Sequence, residues 1–282
     1  MLQNSNSIKQ SILIEKTMLS YWIKSNLRRA HHLNNPILIY QMGKVGSTSA
    51  YNSPKGLYPN TFHIHRADTK NIRDVLSWHI KRGLNPPNDG LGYWIGKKLL
   101  SSNKPATIVT AVREPIARNL SAYFENLDRF HNVTDAHLKI EVPDLINWFL
   151  DNYNHETPLK WFEDEFLIST GIDVYKIEFN KIEGHAIHKT GNRSVLIYRS
   201  DVEDHLIERS LAKIRPELKN IKLHKANVGA SKPYATTYKT FRDEIRLPSS
   251  YIDMMLNNQF VKHFYTHEEI DMLHKKWNNC SN

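Results

Sequence analysis

Two short stretches constrain this chain more than anything else in it. Residues 36–41 are an apolar run that leads into Met42, Gly43, Lys44, Val45 and Gly46, then the hydroxyls Ser47, Thr48 and Ser49. Residues 107–112 are a second apolar run, leading into Arg113, Glu114 and Pro115 and on to Ser121. Each reads as a buried strand, a turn and the start of a helix. Such a turn aims backbone N–H groups and the positive end of a helix at whatever lies above it, which suits an anion.

The first stretch is not the usual triphosphatase loop. That loop places its lysine after the second glycine, beside a hydroxyl that holds magnesium. Here Lys44 precedes Gly46. The lysine can still reach a phosphate, Gly46 lets the backbone approach closely, and no magnesium-binding partner is evident. The order resembles the Lys-x-Gly-Ser/Thr-Thr loop of sulfotransferases. Arg113 and Ser121 lie eight positions apart (121 − 113), which resembles the arginine and serine with which sulfotransferases hold the 3′-phosphate of their donor. Pro115 fits the first turn of the helix between them, where its missing N–H costs nothing.

Further along, residues 160–164, 171–175, 194–199 and 227–269 resemble the capsular polysaccharide synthesis (NKWYS) family, and the likeness extends over about 36–277. The resemblance implies a P-loop-like α/β sulfotransferase fold with a mostly parallel central sheet flanked by helices. The donor it implies is 3′-phosphoadenosine 5′-phosphosulfate (PAPS), used without a metal, and the acceptor a carbohydrate hydroxyl. Carried onto this sequence, Lys44, Val45, Gly46, Ser47, Thr48 and Ser49 meet the 5′-phosphate. Arg113 and Ser121 meet the 3′-phosphate, and Asn227, Gly229 and Lys232 fall in the segment that closes over it. His65, at the end of the strand over 61–65, stands where the family's proton-accepting histidine does, with His63 on the same strand face as its rival. Two other readings stay open: a P-loop kinase using ATP, and a non-catalytic nucleotide- or glycan-binding protein with this fold.

Composition bounds the rest. A chain of 282 residues, 40% hydrophobic, can bury one sizeable core, so 1–282 reads as a single domain with 1–35 as a helical extension. The net charge of +9 favours anionic partners, but the basic residues are scattered rather than run together, which argues against nucleic acid. One cysteine, Cys280, leaves no intrachain disulfide. Without an apolar span of ~20 residues or a cleavage pattern, no integral membrane segment and a cytoplasmic location are expected.

The periodicity predicts a helix over 8–30 with Ile12, Leu13, Met18, Leu19, Trp22 and Ile23 inward, and a helix after Gly46 cut short by Pro54 and Gly56. It also predicts helices over 71–81, 93–100 and 115–130, and strands over 174–179 and 195–198. Asp201 is expected to cap a helix, Thr266 and Glu269 to form a capping box, and Arg199 to face the nucleotide or an acidic acceptor.

Overall fold

The computed structural model describes residues 2–28, 33–223 and 232–279, without the side chains of 2–6 and 47–51. Its centre is a five-stranded sheet in the order β2-β1-β3-β5-β4. The strands are β1 (Ile37–Tyr40), β2 (Thr61–Ile64), β3 (Ala106–Val112), β4 (His185–Thr190) and β5 (Arg193–Arg199). β1 pairs in parallel with β2 and β3, and β3 with β5, so Ile108 faces Leu38 on one side and Val195 on the other. Every residue of β1 and β3 is buried, the pattern of parallel strands covered on both faces. Each fully buried Ile, Leu or Val there contributes roughly 1.5–3 kcal/mol of transfer free energy.

β4 is the antiparallel exception, joined to β5 by a hairpin in which Gly191 has φ 52°. The Gly191-Asn192 pair ahead of the apolar run 195–198 is a two-residue hairpin signal that the sequence reading passed over. The strand expected over 174–179 is instead a 3-10 turn, Val174–Lys176, capped by the Asp173 carboxylate on the Tyr175 N–H. A short polar-capped turn outcompetes an unpaired strand there.

The helices needed here are α1 (Leu2–Leu27), α2 (Ser47–Leu57), α3 (Thr69–Lys81), α4 (Gly90–Ile95) and α5 (Pro115–Glu125). α2 runs past Pro54 to Leu57 before stopping; the proline removes one donor but does not end the helix at once. The helix expected over 115–130 breaks at Asn126, whose side-chain amide donates to the Ala122 carbonyl at 2.9 Å, a local bond that competes with the helix ladder. Asp201 caps no helix among the described residues. It pairs with Arg199, and the next helix starts at Asp204. The capping box is present: the Thr266 N–H donates to Glu269 at 2.8 Å and the Glu269 N–H to the Thr266 hydroxyl at 3.2 Å.

α1 departs from its expected orientation. Ile14, Met18 and Tyr21 face the body, whereas Ile12, Leu13, Leu19, Trp22 and Ile23 are exposed. Among the described residues no helix is long and apolar enough to cross a membrane.

Candidate functional site

Because β1, β2, β3 and β5 run in parallel, the residues that follow them converge at one edge of the sheet, where open α/β sheets hold ligands. A cavity of about 570 Å³ opens there, lined by Gly46, Arg113, Glu114, Ala117 and Ser200, with Lys276 from the last helix opposite.

The loop after β1 is held in an unusual shape. Lys44 has φ 70° and Gly46 φ 89°, a region that costs a non-glycine residue of order 1–3 kcal/mol and persists only where neighbours enforce it. Two arginines do so. Arg118 donates from Nε to the Gly43 carbonyl at 3.0 Å, and Arg113 donates to the Lys44 carbonyl at 3.0 Å. Two backbone oxygens that would repel an anion are thereby engaged by positive groups. Arg118 is fully embedded, held also by Asn119 at 3.0 Å, and burial pushes its pKa down. It lies on a different face of α5 from Ser121, and that face is what lets it reach the loop.

On α5 the less buried positions are Ala117, Ser121 and Glu125, spaced four apart and so stacked on one face, and the half-buried Arg113 precedes the helix and its Glu114 cap. Arg113 and Ala117 border the cavity. At the far end the Lys44 ammonium lies 3.1 Å from Glu125, Lys232 lies 3.4 Å from it, and the Tyr234 hydroxyl donates to it at 2.7 Å. Burial alone would raise the Glu125 pKa, but the bonds from Tyr234 and Lys44 and the charge of both lysines hold it below the usual carboxylate value. Arg113 itself pairs with no carboxylate among the described residues. Glu114, its neighbour, instead caps α5 by accepting from the Ile116 and Ala117 N–H groups at 2.7 and 2.9 Å. The amides at the start of α5, expected to face an anion, are therefore taken by a side chain.

His65 follows β2, and its Nδ1 sits 2.7 Å from the Gln41 carbonyl at the root of the same loop. A carbonyl only accepts, so Nδ1 carries the proton and the neutral ring keeps its lone pair on Nε2. Burial pushes its pKa below 6.5, with the charges of Arg66 and Arg118 acting the same way and the Gln41 bond opposing them. The His63 ring meets the His65 ring edge-on at 4.6 Å, and burial first, then that neighbour, lowers His63 to about 4. The turn that carries His65 is braced from three sides. Trp161 donates to the His65 carbonyl at 3.3 Å, and the buried Glu165 accepts from the Ala67 and Asp68 N–H groups at 2.6 and 3.0 Å. Gly92 and Gly96 bring their helix onto the same turn so closely that a Cβ on either would overlap the carbonyl oxygen of Arg66 or Ala67.

Lys44, Val45, Gly46, Arg113, Ser121 and Lys232 are thus brought to one end of the sheet, with His65 beside them. Ser47, Thr48 and Ser49 open α2, and their side chains lie outside the described residues, as do Asn227 and Gly229 altogether. Arg199 is not free for a ligand: it is buried between Asp201 at 3.1 Å and Glu269 at 2.7 Å, above the Tyr265 ring. Glu165 and the Gly92/Gly96 pair were missed. Of these only the glycines left a signal, a small-x-x-x-small spacing that permits close approach.

Comparison with known families adds one finding. Residues 137–266 match the model of the family described as "Putative capsular polysaccharide synthesis protein". That span is narrower than the sequence resemblance and excludes the loop after β1, His65, Arg113 and Ser121. None of the curated proteins and none of the solved structures compared with the chain matches it.

Proposed function

We propose that this chain is a PAPS-dependent sulfotransferase acting on a carbohydrate hydroxyl, with 1–282 as one P-loop-like sulfotransferase domain and 1–35 as its helical extension. The observation that carries the reading is Arg113. It is a half-buried guanidinium beside a cavity, just ahead of the helix that carries Ser121, bonded to the phosphate-loop candidate and to no carboxylate among the described residues. An arginine so placed is costly without an anionic partner and can grip a phosphate by two bonds. The family match points loosely to a carbohydrate partner.

PAPS would bring the activated sulfuryl group. In this reading Arg113 and Ser121 hold the 3′-phosphate, while Lys44, Gly46 and the start of α2 hold the 5′-phosphate. Lys44 offsets the negative charge that grows on the departing phosphate oxygen, exchanging part of its interaction with Glu125 for it, and Lys232 lies in the segment that closes over the 3′-phosphate. His65 accepts the acceptor's hydroxyl proton on Nε2. One S–O bond forms to the acceptor as the S–O bond to the 5′-phosphate breaks, so the work is positioning and electrostatics.

Thermal denaturation tests the assignment. Without magnesium, 3′-phosphoadenosine 5′-phosphate is expected to raise Tm more than ADP or ATP at equal concentration. A ligand at ~100 times its Kd adds roughly 2.7 kcal/mol of stability. Arg113→Ala should erase the margin over ADP. An equal or larger shift from ATP with magnesium would sink the assignment in favour of phosphoryl transfer.

A further inference from the structure

α1 is held on the body by one face and leaves another bare. Ile14, Met18 and Tyr21 form a small core with Ile72, Leu76, Ile80 and Tyr93. Glu15 pairs with Arg73, and Asn26 accepts from the Lys98 ammonium at 3.0 Å. These contacts fix the rotation of the helix. At 3.6 residues per turn, Ile8, Ile12, Leu19, Trp22 and Ile23 then share the outward side, each 43–59% exposed. With Leu13 and Leu27 they make seven of the fourteen exposed large hydrophobic residues among those described. That concentration is a patch, not scatter.

The charge around the patch says what fits it. Lys9, Lys16 and Lys24 are exposed along one border, and Glu15, the one acidic residue of α1, is already engaged by Arg73. A second copy laid antiparallel across the stripe would set each lysine border against its own kind, since like edges face each other in such a pair. An anionic surface meets no such conflict. Aliphatic residues and a tryptophan on one side, lysines beside them, and a chain of net charge +9 are the features of a helix lying in the headgroup plane. We infer that the bare face of α1 docks the protein on a membrane surface rich in anionic phospholipid, without crossing it. The inference stands apart from the proposed reaction.

Flotation of the full chain with vesicles tests it. Binding is expected to equal parts phosphatidylcholine and phosphatidylglycerol, weakening as salt is added, and little binding to phosphatidylcholine alone. Lys9→Gln, Lys16→Gln and Lys24→Gln together should weaken binding roughly 100-fold, about fivefold per lysine. Ile12→Ser, Leu19→Ser and Trp22→Ser together should abolish it, with an unchanged circular dichroism spectrum because all three side chains are exposed. Equal binding to both vesicle types, or binding to neither, overturns the inference. So does a dimer in the ultracentrifuge that the serine variant converts to monomer, which would make the stripe a self-association face.

Discussion

His65→Ala is expected to lower sulfate transfer by about 10²–10⁴-fold, the usual contribution of a positioned base, while 3′-phosphoadenosine 5′-phosphate still binds nearly as tightly as to the parent. Lys44→Ala and Arg113→Ala should weaken binding as well as turnover, because in the proposed reading both hold phosphates of the nucleotide rather than take part in proton transfer. His63→Ala should cost less than His65→Ala, since the His65 ring bonds the Gln41 carbonyl at the root of the loop. Full turnover in His65→Ala together with loss in His63→Ala would assign the base to the other ring. The pH profile supplies a second readout. Burial holds His65 below 6.5, so it is neutral at pH 7, and turnover should fall only on the acid side.

Stability should fall in the same direction. Where the folded pKa of a histidine lies below its unfolded value, the unfolded chain binds more protons in between, so stability declines as pH drops through that window. For His63 the window runs from 6.5 to about 4, and burial lowers His79, His131, His155 and His263 as well. Tm is therefore expected to fall progressively below pH 6.5. Turnover should be compared at temperatures where the chain stays folded.

Gly92→Ala is the second substitution with a large expected effect. A methyl group there has no space beside the Arg66 carbonyl, so either α4 or the turn bearing His65 must move. Overpacking against backbone costs about 3 kcal/mol, which lowers Tm by roughly 6–12 °C in a chain of this size. Because the displaced turn carries His65, turnover should suffer even at temperatures where the variant is folded. Gly56→Ala is the control: it lies in α2 with nothing within 4 Å of its Cβ position, and should be neutral or stabilising by up to about 1 kcal/mol. Matching melting curves for the two variants would show that α4 is not pressed on the turn.

The sequence made the two strand–turn–helix units legible because each combines a largely apolar strand with turn and helix-start chemistry in a few consecutive residues. Lys44, Gly46, Arg113 and Ser121 could be marked as candidates without knowing any contact. The supports were hidden for a different reason. Arg118 reaches Gly43 across 75 positions of sequence and Glu165 reaches Ala67 across 98, and no local pattern encodes such pairings. α1 failed for a third reason: it is apolar on two sides, so periodicity predicts a helix but cannot say which side meets the body. β4 sat behind a Gly-Asn turn whose flanking histidines and lysine hid the alternation of an edge strand.

The measurement that bears most directly on the central claim is a crystal structure of the full chain with 3′-phosphoadenosine 5′-phosphate. The account predicts the 5′-phosphate at the loop of residues 43–46 and the start of α2, and the 3′-phosphate within hydrogen-bond reach of Arg113 and Ser121. A nucleotide whose phosphates lie away from Arg113, or a chain that takes ATP with magnesium on Lys44 and leaves 3′-phosphoadenosine 5′-phosphate unbound, contradicts it.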